Sequence, residues 1–150
     1  MLTGNAGNDR LNGRGGDDTL IGGTGNDVYI LGRDYGVDTV IENDVTAGNT
    51  DTVRFLPGIS ANQIWFQQAG DNLEVSIIGT HDKLVINDWY LGSAYRIERF
   101  RTSDGLMLQD DQVENLVSVM SGFAVPDIGQ MTLPDGYAAI LDPVIANMWG

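Results

Sequence analysis

Five aspartates set the chemistry this chain could perform. Asp9, Asp18 and Asp27 recur every nine residues, and Asp38 and Asp51 continue the series at wider spacing. Each of the first three closes a turn-like run in the units Gly4-Asn5-Ala6-Gly7-Asn8-Asp9-Arg10-Leu11-Asn12, Gly13-Arg14-Gly15-Gly16-Asp17-Asp18-Thr19-Leu20-Ile21 and Gly22-Gly23-Thr24-Gly25-Asn26-Asp27-Val28-Tyr29-Ile30. Glycine holds unit positions 1 and 4, aspartate position 6 and a large apolar residue position 8. If such units stack, carboxylates about one strand spacing (~4.8 Å) apart repel each other. Glycine turns aim peptide carbonyls into the same gap. With no cysteine and one histidine in the chain, a soft-metal site has little to build on. A flexible cage made only of oxygen, part of it backbone, describes a calcium site rather than zinc or magnesium. The candidate ligands are Asp9, Asp18, Asp27, Asp38 and Asp51, with the turn positions Gly4, Ala6, Gly13, Gly15, Gly22, Gly23, Gly25, Asp34 and Gly36.

The elements that must hold these groups follow from the same units. Six residues rich in Gly, Asn and Asp resist helix and suit a turn. The last three suit a short strand whose middle side chain, Leu11, Leu20 or Tyr29, points into a core. Turn plus strand, repeated, coils the chain into a parallel β-roll with two units per coil. Asp9 then stacks on Asp27 and Asp18 on Asp38. Leu31 to Ile41 is a looser fourth unit, with Arg33 and Asp34 in place of the glycine pair. Thr46 to Arg54 is a fifth, with Gly48 one place early and Asp51 facing Asp27. The pattern G-G-x-G-x-D-x-U-x resembles the RTX, or haemolysin-type, calcium-binding repeat of secreted bacterial proteins.

After the repeats the pattern changes to alternating strands. Val53 and Phe55, Ile64 to Phe66, Leu73/Val75/Ile77 and Leu84/Ile86 are separated by Pro57-Gly58, Gly70-Asp71-Asn72 and Gly79 to Asp82. Asp104-Gly105 predicts a hairpin between Phe100 and Leu108. The order of Asp51 to Ile59, Asp71 to Val75, Lys83 to Tyr90, Tyr95 to Phe100 and Asp104-Gly105 resembles the haemolysin-type calcium-binding-related domain that follows RTX repeats. Its physical role would be a cap over the open end of a solenoid. Val113, Leu116, Val117 and Met120 then predict a helix that Asp110 could N-cap. Tyr137 to Trp149 predicts a second helix, kinked or restarted at Pro143. The tail from Phe123 to Asn147 resembles the C-terminal end of RTX proteins, where the family's type I secretion signal lies.

The fold expectation is therefore mainly β: a parallel β-roll of repeats over residues 1–54, a β-rich cap over 55–109 and two C-terminal helices over 110–150. A formal net charge of −13 argues against nucleic acid and anionic membrane surfaces. Self-repulsion of that size would be relieved by bound divalent cations. Zero Cys fits an extracellular bacterial protein stapled by calcium. No apolar run reaches the roughly 18–20 residues of a membrane span, and the start lacks signal-peptide character. Beginning within a repeat, the chain reads as part of a longer protein with an effector domain upstream.

No constellation reads as catalytic. His81 sits in a turn, Asp17/Asp18 belong to a repeat turn and Asp110/Asp111 open a helix. Gly22 to Asp27 lacks the Lys-Ser/Thr and long helix of a phosphate loop. The expectation is a non-enzymatic module that binds two to three calcium ions, folds on them outside the cell and supports leaderless type I export. A different function would be an adhesion or carbohydrate-binding module using Trp65, Phe66, Trp89, Tyr90 and Tyr95 as a stacking surface.

Overall fold

Wherever a repeat unit turns from Gly/Asn/Asp to β-branched and apolar residues, a short strand forms. The computed structural model describes residues 1–44 and 49–150. The repeat strands are β1 (Leu2–Thr3), β2 (Arg10–Leu11), β3 (Thr19–Ile21), β4 (Val28–Leu31), β5 (Val37–Ile41) and β6 (Thr52–Phe55). They are followed by β7 (Ile64–Ala69), β8 (Asn72–Ile77), β9 (Lys83–Ile86), β10 (Arg99–Arg101) and β11 (Met107–Gln109). Two helices, α1 (Asp110–Met120) and α2 (Asp135–Met148), end the chain. Of the fifth repeat unit, Thr46, Ala47 and Gly48 lie outside the described residues.

Successive repeat strands alternate between two open sheets. One has the order β1-β3-β5-β9-β8-β7, the other β11-β10-β6-β4-β2. All pairing among the repeat strands is parallel, and β5–β9 and β6–β10 continue it. Antiparallel pairing begins only at β9–β8–β7 and β10–β11. The register aligns the unit-position-8 residues: Leu11, Tyr29 and Val53 run into Phe100 and Leu108, while Leu20 and Val40 run into Ile86 and Leu73. These inward side chains from both sheets share one apolar cluster. Full burial of each such residue is worth roughly 1.5–3 kcal/mol.

The helices close this cluster. Val113, Leu116, Val117 and Met120 of α1 are buried, and the Phe66 N–H points at the Met120 sulfur at 3.3 Å. Trp149, just past α2, meets Phe55 edge-on with ring centroids 6.4 Å apart. Trp65, Phe66 and Trp89 are buried and Tyr90 packs against the same cluster, so these four build core rather than a face open to sugar stacking; Tyr95 is half-buried.

Two helix expectations are corrected. The N-cap of α1 is Gln109, not Asp110. The Asp110 N–H already bonds the Glu98 carbonyl at 3.0 Å, so Asp110 enters the first turn beside Asp111, where the helix dipole favours acids. Of the kink or restart expected at Pro143, the restart is absent: α2 runs unbroken from Asp135 to Met148. The carbonyl that Pro143 leaves without a donor is that of Ala139, an exposed residue, so water can satisfy it.

Candidate metal centre

The turns are shaped by two left-handed positions per unit. Position 4 is Gly7, Gly16, Gly25 or Gly36, with φ between 79° and 109°. Position 2 is Asn5, Arg14, Gly23 or Asp34, and its non-glycine residues have φ of 59–72°. The second range is open to short polar residues at modest cost, whereas much of the first is glycine territory. That difference explains why position 4 stays glycine while position 2 drifts.

This turn brings the aspartates of alternate units together through their backbones. The Asp9 N–H donates to Asp27 Oδ1 at 2.9 Å, the Asp27 N–H to Asp51 Oδ1 at 2.8 Å, and the Asp51 N–H to Glu98 Oε2 at 2.7 Å. On the other side the Asp18 N–H donates to Asp38 Oδ1 at 3.0 Å. A second ladder runs the opposite way through position 5: Asn26 N–H to Asn8 Oδ1, Thr50 N–H to Asn26 Oδ1 and Val37 N–H to Asp17 Oδ1.

Each of these aspartates thus spends one oxygen on the neighbouring coil, except Asp9 and Asp18, whose carboxylates begin the ladders. The other oxygen carries the site. Oδ2 of Asp9, Asp18, Asp27 and Asp38 is buried and accepts no hydrogen bond among the described residues. A buried anionic oxygen without a donor is costly, and a cation is what would compensate it.

The turn positions fall around these oxygens. A Cβ on Gly4, Gly13 or Gly22 would collide with the carboxylate of Asp9, Asp18 or Asp27, respectively. Gly23 and Gly25 lie against the Asn5 and Gly7 carbonyls of the adjacent coil, and Gly36 against the Gly16 carbonyl. Ala6 bridges to Thr24 in parallel, and Gly15 lies near the Asp34 carbonyl. Asp34 itself is exposed, and its N–H bonds Asp82 Oδ2 at 2.9 Å.

Four acidic residues of the site escaped the repeat pattern, among them Asp44, whose Oδ2 accepts from the Gly25 N–H at 3.1 Å. Glu42 is the first. The register Thr3–Ile21–Ile41 puts it where Gly4 and Gly22 stand, immediately after the strand. It is 1 % exposed; its Oε2 accepts from the Tyr29 hydroxyl at 2.6 Å, and its Oε1 has no donor among the described residues. The Tyr29 hydroxyl in turn accepts from the Gly22 N–H at 3.0 Å. One carboxylate oxygen from each of Asp27, Glu42 and Asp51 lies within 4.8 Å of the others. Two oxygens at about 2.4 Å from one calcium ion can be no more than about 4.8 Å apart, so this trio fits a single ion. Glu98 and Asp82 are the other two, both from beyond the repeats. Asp82 accepts from the Asp34 and Gly36 N–H groups, both at 2.9 Å, so both its oxygens are engaged by backbone.

Burial raises the proton affinity of these carboxyls. It lifts Asp38 to about 6, Asp51 to about 7 and Glu42 to about 8, against backbone hydrogen bonds to the two aspartates and the tyrosine bond to Glu42. Asp27 and Glu98 move up for the same reason. Neighbouring carboxylates add to each rise.

Residues 1–37 match the model of the RTX calcium-binding nonapeptide repeat, and residues 72–112 match that of the haemolysin-type calcium binding protein related domain. Over these two stretches the chain is similar to RTX-repeat proteins. The repeat match stops just before Asp38, yet Asp38 and Asp51 continue the ladders of the matched RTX units. The related-domain match starts at residue 72, beyond the Asp51–Ile59 stretch that resembled it in sequence. Over 92 residues the chain is 34 % identical to the iron-regulated protein FrpA of Neisseria meningitidis serogroup C, covering 59 % of this chain and 8 % of that relative. The chain therefore spans less than a tenth of that relative's length. No helix among the described residues is long and apolar enough to cross a membrane.

Proposed function

We propose that this chain is a calcium-binding module in which residues 1–54 form a β-roll, with ions held between stacked turns. The observation that carries the reading is the set of four buried Oδ2 atoms, on Asp9, Asp18, Asp27 and Asp38, that accept no hydrogen bond among the described residues. Three gaps follow from the ladders: Asp9–Asp27, Asp18–Asp38 and Asp27–Asp51, the last reinforced by Glu42. Turn carbonyls of Gly4, Ala6, Gly13, Gly15, Gly22, Gly23, Gly25, Asp34 and Gly36 complete the coordination. Calcium supplies charge neutralisation and a crosslink between coils; the residues supply oxygens and a preformed turn. Residues 55–109 cap the roll, and 110–150 form the helical end that engages a type I exporter.

Because the sites exist only when coils are stacked, ion binding adds directly to folding free energy. Such a module stays unfolded at low cytosolic calcium and folds outside the cell, at extracellular affinities of roughly 10⁻⁴ to 10⁻³ M. Its role is to carry a larger parent protein, with an upstream effector domain, through export and into its folded state. Circular dichroism and calorimetry with calcium and with chelator test this. Gain of β-structure on adding two to three ions is the expected result. Unchanged spectra, or unchanged affinity in Asp18→Asn and Asp27→Asn, would overturn it.

A further inference from the structure

Half of the chain's cations stand on one surface. The side chains of the second sheet that point away from the shared core form two rows across its strands. One row runs Arg10, Val28, Thr52, Arg99 and Gln109. The other runs Arg54, Arg101 and Met107, with the fully buried Ile30 at its far end. Four of the eight Lys and Arg residues lie here, all exposed, and neither row contains an acid, although the chain carries 21. Elsewhere three of the cations are engaged. Lys83 pairs with Glu74, Arg33 bonds the Gly58 carbonyl, and Arg96 bonds the Trp89 carbonyl and covers its ring. Arg14 occupies a left-handed turn position. Among the described residues, Arg10, Arg54, Arg99 and Arg101 make no ion pair or side-chain hydrogen bond.

Their arrangement works against the sheet's own stability. Arg54 and Arg101 are direct partners in the β6–β10 pairing, and Arg99 lies two residues from Arg101 on the same side. Like charges placed opposite each other are destabilising. Packing does not call for them, since Val53, Phe55 and Phe100 face the core between them. Beside the three arginines lies a hollow of about 200 Å³, which Thr52 and Ser103 also line. Asp104, in the turn after Arg101, accepts from the Thr102 hydroxyl, and Glu98, next to Arg99, accepts from the Asp51 N–H.

Guanidinium forks match tetrahedral oxyanions in a bidentate way, and hydroxyls add further donors. Arg10 stands three strands from Arg99, roughly 14 Å at the usual strand spacing. That is too far to share one anion and suits a second anionic group on an extended ligand. We propose that this face binds a sulfated or phosphorylated glycan, with one ester group over Arg54, Arg99 and Arg101 and another at Arg10. This site is separate from the calcium gaps and stands whether or not those bind calcium.

Calorimetry of the full chain against a heparin-derived octasaccharide, at fixed free calcium, tests it. Vesicles of phosphatidylglycerol and the desulfated octasaccharide serve as the other arms. Expected is binding to the sulfated sugar that weakens with salt, is lost on desulfation and falls at least tenfold in an Arg54→Gln/Arg101→Gln variant. That variant should keep the wild-type circular dichroism spectrum and calcium stoichiometry, and Arg14→Gln should bind like wild type. No binding at millimolar sugar, equal binding by the double variant, or binding to vesicles alone would each overturn the assignment.

Discussion

Replacing Glu42 by glutamine separates the two opposed roles of that side chain. Glutamine keeps the shape and can still accept from the Tyr29 hydroxyl, but carries no charge. In the ion-free chain, burial raises Glu42 from 4.5 to about 8. The folded state therefore holds a proton there that the unfolded state has released, so stability falls as pH rises from about 4.5 and levels off above about 8. At 1.36 kcal/mol per unit, the cost at pH 7 is about 3 kcal/mol, and above pH 8 about 5 kcal/mol. Glu42→Gln removes that cost. With chelator and enough stabilising osmolyte to hold the ion-free chain folded, the variant should match wild type near pH 4 and exceed it by about 3 kcal/mol at pH 7, roughly 6–12 °C in melting temperature for a chain of this size. In saturating calcium the order reverses, because the ion at the Asp27–Glu42–Asp51 trio has lost one charged ligand. Thermal melts at three pH values with and without calcium, beside calcium titrations, give the comparison. Equal melting in chelator at pH 8, together with unchanged calcium affinity, would refute the placement of Glu42 in the site.

Calcium binding should expel protons near pH 6.5, since Glu42 and Asp51 are held protonated there by burial; calorimetry in buffers of different ionisation enthalpy reads the number released, and affinity should climb from pH 5 to 8. Asp82→Ala leaves the Asp34 and Gly36 N–H groups without their acceptor, which should cost about 1–3 kcal/mol in urea unfolding while calcium stoichiometry stays the same. Gly25→Ala should destabilise more than Gly7→Ala in calcium-loaded melts. Both have φ above 100°, but only at Gly25 does the new Cβ meet a backbone carbonyl, that of Gly7. For Gly7→Ala the conformational strain alone is about 1–3 kcal/mol.

How much of this was readable in the sequence depended on distance along the chain. The unit period reveals which aspartates stack, because two units bring each strand beside its equivalent and the pattern itself sets the register. Asp9 with Asp27, Asp18 with Asp38 and Asp27 with Asp51 all follow from counting. Glu42 could have been found by the same counting from the end of β5. It was missed because a glutamate in a glycine register looks like the repeat decaying. Asp82 and Glu98 had no such signal. They reach the ladders only because β9 and β10 join the two sheets, a long-range pairing that no local pattern encodes. The same pairing sets Arg54 opposite Arg101: the alternation Arg99-Phe100-Arg101 predicts a strand but not its neighbour. The Asp110 cap and a restart at Pro143 went wrong for a shared reason. Both weigh a residue's intrinsic preference. In the fold, the bond from the Asp110 N–H to the Glu98 carbonyl and the solvent exposure of Ala139 outweigh it.

The aspartate ladder has a direction. Each backbone N–H in it points to a carboxylate supplied by the coil nearer α1 and α2, from Asp9 through Asp27 and Asp51 to Glu98. Through its aspartates each coil therefore lends a carboxylate to the coil before it, while the position-5 ladder ties the same coils in the other direction. Within the aspartate ladder the supports rest on one another from the C-terminal end, one rung and one ion gap after the next. Trimming from the N-terminus would remove rungs singly, whereas losing Glu98 would strip the foundation from every rung above it. In the proposed export route, the helical end that engages the exporter lies on the same side as the Glu98 foundation of that ladder.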